Sequence, residues 1–234
     1  MNLEPHIDPA AAKLVTESSK YRLWRGEVQK SGCEILEEKM LYVLQRNKNS
    51  FYTALLDCKL LTPEKQIINR SLLLRGRSVV IIPLFQCGNK TVIPMVQQRR
   101  IVDGDFSMEF PSGGIDESID IRTAAVTEIK EELEIDIQPD ELISLYNRPL
   151  KACESMFDEL VYWFAFKRNV TEEFLKQLEN RKTGCAANEE HIYVTLQTPA
   201  DLYKSASFQT LVGSQLLLAN GLVDLSELTA TISQ

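Results

Sequence analysis

Pro111-Ser112-Gly113-Gly114-Ile115-Asp116, with Glu128-Ile129-Lys130-Glu131-Glu132 beginning fourteen residues beyond Gly114, decides how this chain is read. A strand that stops in two glycines lets backbone pass close to the next element, because neither residue carries a Cβ. That next element reads as a helix from about Asp120 to Leu133, with a carboxylate at its start and Ala124, Ala125, Val126, Ile129 and Leu133 as its apolar side. Glu128, Glu131 and Glu132 stand at i, i+3 and i+4. At roughly 100° per residue they share one face, while Val126, Ile129 and Leu133 point roughly the other way. Three like charges on one face repel one another, and a hard cation relieves the repulsion; Mg2+ favours carboxylate and carbonyl oxygens and keeps waters that substrate phosphates can replace. An acidic run alone is better explained as a solvated helix face. The glycine turn shifts the balance, since it offers a backbone carbonyl beside carboxylates expected to be exposed; a GG turn before a helix is common, and spacing and residue type carry the reading only together.

Working outward, Phe51 to Leu56, Gln66 to Leu74, Ser78 to Phe85 and Thr91 to Gln98 read as strands, punctuated by Arg75-Gly76 and Gly88-Asn89. Ser31 to Leu44 fits either helix or strand by its pattern of Ile35, Leu36, Met40, Leu41 and Leu44. Downstream, strands are expected at about Leu142 to Asn147, Leu160 to Phe166 and Ile192 to Gln197. A helix is expected over Thr171 to Glu179 with Thr171 as its cap, and a closing apolar helix over Phe208 to Asn220 stopped by Gly221. Asn180 to Glu189 reads as a polar loop. Strands and helices mix without a regular βαβ alternation, which predicts an α/β/α sandwich around a mixed sheet.

The 234 residues are 44% hydrophobic and 25% charged, an ordinary globular balance, and no repeat or low-complexity tract interrupts them. Net charge is -7, and no stretch gathers five or more Lys and Arg, so neither nucleic-acid nor membrane binding is expected. Cys33, Cys58, Cys87, Cys153 and Cys185 are odd in number and form no CxxC pair. Reduced thiols, no signal-like apolar run in residues 1–25 and no run of membrane-spanning length together give the expectation of a cytoplasmic protein.

The same residues resemble the Nudix box, in which Gly, five residues, Glu and seven residues precede Arg-Glu-apolar-x-Glu-Glu-x-Gly-apolar. Set on Gly113, the box aligns its three helical glutamates with Glu128, Glu131 and Glu132, and its apolar positions with Ile129 and Ile135. Ile119, Thr127 and Glu134 depart from it, standing where the family has Glu, Arg and the closing Gly. Gln98-Arg99-Arg100 and Met108-Glu109-Phe110-Pro111-Ser112-Gly113 are similar to elements of the ADP-ribose and ADP-sugar pyrophosphatase branch. So are Asp158-Glu159, the stretch Thr183 to Val194 and the ending Leu202 to Leu222, so that the likeness covers about residues 66 to 222.

The resemblance implies Mg2+-dependent hydrolysis (Mn2+ as a substitute) of a nucleoside-diphosphate sugar such as ADP-ribose or ADP-glucose. It implies metal held by Glu128, Glu131, Glu132 and the Ser112 carbonyl, substrate contacts from Arg100 and Glu109, and a general base at Glu189 or Glu190. Residues 76–234 would form the Nudix domain. Residues 1–75 would be an extension, β-rich in its later part, through which a homodimer pairs. Two alternatives stay open: a Nudix-fold module that binds a nucleotide with little or no hydrolysis, motivated by the three departures, and a hydrolase of another nucleotide diphosphate.

Overall fold

The computed structural model describes residues 1–115, 119–184, 191–205 and 207–229. They fall into two compact units: 1–78 with 115 and 150–161, and 79–114 with the described residues of 119–149 and 162–229.

The first unit begins with β1 (Asn2–Leu3), α1 (Pro9–Thr16) and α2 (Ser19–Lys30), followed by β2 (Glu34–Asn47), β3 (Ser50–Leu61) and β4 (Ile67–Leu74). Asp8 caps α1 by accepting from the Ala10 N–H at 2.9 Å, and Ser18 caps α2 by accepting from the Tyr21 N–H at 3.1 Å. The four strands lie in sequence order; β1 is parallel to β2 and the other pairs are antiparallel. Their packed face carries Met40, Ala54, Leu56 and Leu74, all without solvent exposure, joined by Val15 and Tyr21 from the helices. Buried Glu38 sits among them because the Tyr21 hydroxyl donates to both its oxygens at 3.0 Å and Arg25 pairs with it, which supplies the partners a desolvated carboxylate needs. Burial also pushes the neighbouring Cys58 thiol up to about 12.

The open reading of Ser31 to Leu44 resolves as strand, β2. The strand is bulged between Ile35 and Glu37 and again between Met40 and Tyr42. Each bulge inserts a residue that breaks the two-residue alternation, which is why the apolar pairs Ile35-Leu36 and Met40-Leu41 imitate a helical period.

Further strands complete the chain: β5 (Arg77–Cys87), β6 (Lys90–Arg99), β7 (Phe106–Glu109), β8 (Ser112–Gly114), β9 (Ile143–Ser144), β10 (Leu150–Lys151), β11 (Leu160–Asn169), β12 (Lys182–Thr183) and β13 (Ile192–Gln197). The helices are α3 (Ile121–Leu133), α4 (Glu172–Leu178), α5 (Phe208–Ala219) and α6 (Leu225–Thr229). In the second unit the sheet runs β11-β5-β6-β13-β12, with β7 on β6, β8 on β5 and β9 on β11. Val79 to Ile82, Leu84 and Phe85 are all buried, so β5 is covered on both faces as a central strand is. The expected α/β class with helices packed on mixed strands is borne out. The strand expected over Leu142 to Asn147 shrinks to Ile143–Ser144.

In the first unit, β10 pairs with the opening residues of β11. The Asp158 carboxylate accepts from the Arg75 and Gly76 amides at 2.6 and 3.1 Å, and Glu159 pairs with Arg75 at 3.4 Å. Burial raises the Asp158 carboxyl above its ordinary range in spite of those two amides. Asp158 therefore secures the Arg75-Gly76 turn. Among the described residues no helix is long and apolar enough to cross a membrane.

Candidate active site

Helix α3 forms where its cap and period require. Asp120 accepts from the Arg122 and Thr123 amides at 3.0 and 3.1 Å, satisfying donors that the first turn leaves open. Ala124, Ala125, Ile129 and Leu133 are buried on its inner side. Of the three glutamates, Glu131 is exposed, Glu128 is half-buried and Glu132 is only 6% exposed. The last corrects the expectation of exposed carboxylates: i and i+4 lie against the glycine segment, and i+3 is exposed.

Two contacts join helix and glycine segment. The Ser112 N–H donates to Glu132 Oε2 at 3.0 Å. A Cβ placed on Gly113 would overlap the Glu128 carboxylate, so no side chain can stand at this position without a shift. The approach to Ser112 is fixed on two further sides. Phe110 donates its N–H to Gln209 Oε1 of α5 at 2.9 Å, and the Pro111 carbonyl accepts from the Ile81 N–H of β5 at 2.9 Å. Gly213 completes the seat, since a Cβ there would come 2.3 Å from the Phe110 ring.

Two carboxylates, Glu128 and Glu132, thus lie against the glycine segment, and the residues fit a hard divalent cation in donor type. Among the described residues, however, no three His, Cys, Asp or Glu side chains are drawn together as a ready-made cluster. The structure brings Glu128 and Glu132 to the loop backbone and leaves Glu131 exposed.

Arg100 and Glu109 meet at the ends of β6 and β7. Arg100 Nε donates to Glu109 Oε1 at 2.7 Å and its Nη2 to Oε2, a two-pronged pair that fixes the guanidinium plane. Burial pushes the Glu109 carboxyl up, but hydrogen bonds from Arg100 and Ser107 and the Arg100 charge outweigh it and hold the group below the usual range. The Arg100 backbone also closes the hairpin, its N–H on the Asp105 carbonyl at 3.0 Å and its carbonyl on the Gly104 N–H at 2.9 Å. Glu189 and Glu190, expected as base candidates, lie outside the described residues.

Each departure from the box pattern has a visible local setting. Thr127 is exposed, and its hydroxyl donates to the Thr123 carbonyl of its own helix at 3.0 Å, while Ile119 is half-buried. Glu134 ends α3 in the left-handed conformation, φ 56° and ψ 37°, where the pattern's glycine would sit without strain. Sequence reasoning placed Gln209, Gly213 and Thr183 within matching stretches but gave none of them a role. Gly213 inside an apolar helical run was a usable signal of close packing; the other two carried none.

A helix with two of its carboxylates against a glycine turn on a mixed sheet defines an α/β domain class, and comparison with known proteins narrows it. Residues 74–207 match the family model described as NUDIX domain, and the chain belongs to that family. Over 167 residues it is 23% identical to a protein of Arabidopsis thaliana named "Nudix hydrolase 14, chloroplastic", covering 68% of this chain and 52% of that protein, so the chain spans about half the length of this relative. A solved structure described as "Crystal structure of ADP compounds hydrolase" superposes with a TM-score of 0.55 at 12% identity, over 82% of this chain and 97% of the other. That likeness is one of fold, and it bears out the expected architecture.

Proposed function

We propose that this chain is a Nudix hydrolase that cleaves the diphosphate bond of a nucleoside-diphosphate sugar of the ADP-ribose or ADP-glucose type. The observation that carries the reading is Gly113 lying against Glu128, where the absence of a Cβ leaves loop backbone and helical carboxylate in close approach. Water adds to one phosphorus as the bond from that phosphorus to the bridging oxygen breaks, giving nucleoside monophosphate and sugar phosphate. Glu128 and Glu132, with the Ser112 carbonyl and with Glu131 as an inner or water-mediated ligand, would hold Mg2+ or Mn2+. When bound, the ion supplies charge neutralisation at the phosphoryl oxygens and a more acidic attacking water. Arg100, its plane set by Glu109, would bind a phosphate or the terminal sugar. Glu190 or Glu189 would take the proton of the attacking water, a role that rests on the resemblance of this stretch to the ADP-sugar branch. The substrate class draws support from the similar fold of a protein named for hydrolysing ADP compounds.

The second reading, a nucleotide-binding module, is favoured by the exposure of Glu131 and by Thr127 bonding within its own helix. Incubation with Mg2+ and ADP-ribose or ADP-glucose, with analysis for AMP and sugar phosphate, separates the two. Binding without turnover of any nucleoside-diphosphate sugar would favour the module. Turnover of a dinucleoside polyphosphate, capped RNA or coenzyme A instead would keep the hydrolase and reassign its substrate.

The homodimer, paired through residues 1–75, belongs to the same proposal, and light scattering showing only monomer at micromolar concentration would remove it. A cytoplasmic or otherwise reducing compartment is supported by the free thiols of Cys33, Cys58, Cys87 and Cys153. Labelling in cells that placed the protein in an oxidising compartment would contradict it.

A further inference from the structure

The last turn of a helix leaves its final carbonyls without partners in the helix itself, and each needs a donor from elsewhere or from water. In α3 all of these carbonyls are met. The Glu134 N–H donates to the Lys130 carbonyl at 3.1 Å. The other three take donors from one short segment: Gly184 N–H to the Glu131 carbonyl at 3.4 Å, Thr183 Oγ1 to the Glu132 carbonyl at 2.6 Å and Arg181 Nη1 to the Leu133 carbonyl at 3.3 Å. The Thr183 bond is the shortest of the set and is buried, where loss of a donor exposes the acceptor to no compensating water.

Glu132 is consequently fixed at both ends. Its carboxylate receives the Ser112 amide and its carbonyl receives the Thr183 hydroxyl, so a single residue spans glycine loop, helix and β12. We propose that Thr183 is a positioning residue for this site: through the Glu132 carbonyl it sets the final turn of α3, and with it the Glu132 carboxylate and the glutamates on the same face. The proposal rests on the reading of these glutamates as metal ligands. Partners standing behind metal ligands orient them, and their loss weakens metal binding and turnover together.

Thr183→Val keeps the shape of the side chain and removes its donor, while Thr183→Ser keeps the donor and removes a methyl. Mn2+ titration by calorimetry and steady-state hydrolysis of ADP-ribose are compared for both variants and the wild type, each shown to be folded by circular dichroism at the assay temperature. The expected result is about tenfold weaker Mn2+ binding and about tenfold lower kcat for the Val variant, at the lower end of the usual range for such partners, with KM for ADP-ribose little changed and with recovery in the Ser variant. A role confined to stability would lower the unfolding temperature of the Val variant and leave Mn2+ affinity, kcat and KM of the folded protein at wild-type values, which would overturn the proposal. If Thr183→Val does not fold, equal loss of Mn2+ affinity in Thr183→Ser and Thr183→Ala would overturn it, because the hydroxyl alone is assigned the role. A wild type that neither binds Mn2+ nor turns over substrate would instead sink the metal-helix reading on which the proposal depends.

Discussion

Gly113 and Glu128 stand so close that one added methyl group would share the space of the carboxylate. Gly113→Ala must therefore displace either the loop backbone or the Glu128 side chain. We expect turnover to fall about 100-fold, the scale of loss for a misplacement of about 1 Å at a reacting centre, with little change in unfolding temperature. Hydrolysis rates near wild type would show that the loop does not work against Glu128.

Glu128→Gln and Glu132→Gln should each remove most activity and raise the Mg2+ requirement. The two should differ in stability. Glu128 is half-buried and its replacement is expected to be nearly neutral, whereas buried Glu132 holds the Ser112 amide, and its amide replacement retains an acceptor only in one of two orientations. Near wild-type turnover in both variants would remove the metal-helix assignment.

Glu134 occupies a left-handed position at the end of α3, with φ 56°. An L-residue there costs about 1–2 kcal/mol that glycine avoids, while glycine gives back about 0.5–1 kcal/mol through its larger unfolded-state freedom. The Arg181–Glu134 pair, at 3.5 Å and more than half exposed on the Glu134 side, adds little against this. Glu134→Gly is expected to raise the urea midpoint, with a net gain of about 0.5–1 kcal/mol. A lower midpoint would mean that the charge pair outweighs the backbone strain.

The Glu109 carboxyl is held below its ordinary range in the folded protein. Its contribution to stability is present above the unfolded value, about 4.3, and is lost as pH falls through the lower folded value. Wild type should thus lose stability more steeply than Glu109→Gln between about pH 4.3 and the lower folded value, as urea midpoints measured from pH 7 down to the acid limit would reveal. Parallel profiles would show that the pairing with Arg100 contributes nothing to folding.

Much of the second unit was legible because each of its signals is local. Asp120 with its run of alanines and Ile129 announces α3, Thr171 announces α4, and Gly221, at φ 62°, stops α5. The first unit hid more. Asp8-Pro9 and Ser18 were cap signals for α1 and α2, but the segment between them and β2 carries no long apolar stripe, and the bulges of β2 scrambled the strand period. At the site, the acidic face and the glycine turn could be read directly. That Glu131 turns out while Glu132 turns in could not, because it depends on β8 and β12 reaching the helix from 20 residues before and 51 residues after Glu132.

The seat of Phe110 is finished by Gln209 and Gly213, residues that leave the ribosome about a hundred positions later. A nascent chain that has already made α3 and its glutamates still lacks the acceptor for the Phe110 amide and the flat helix surface for its ring. Order of synthesis thus separates the appearance of the acidic helix from the setting of the loop it faces: the glutamates exist first, and the segment they face is locked only when the closing helix docks. Ribosome-stalled chains of increasing length should gain protease resistance around residues 110–112 only after residue 213 has emerged, and resistance acquired earlier would break that order.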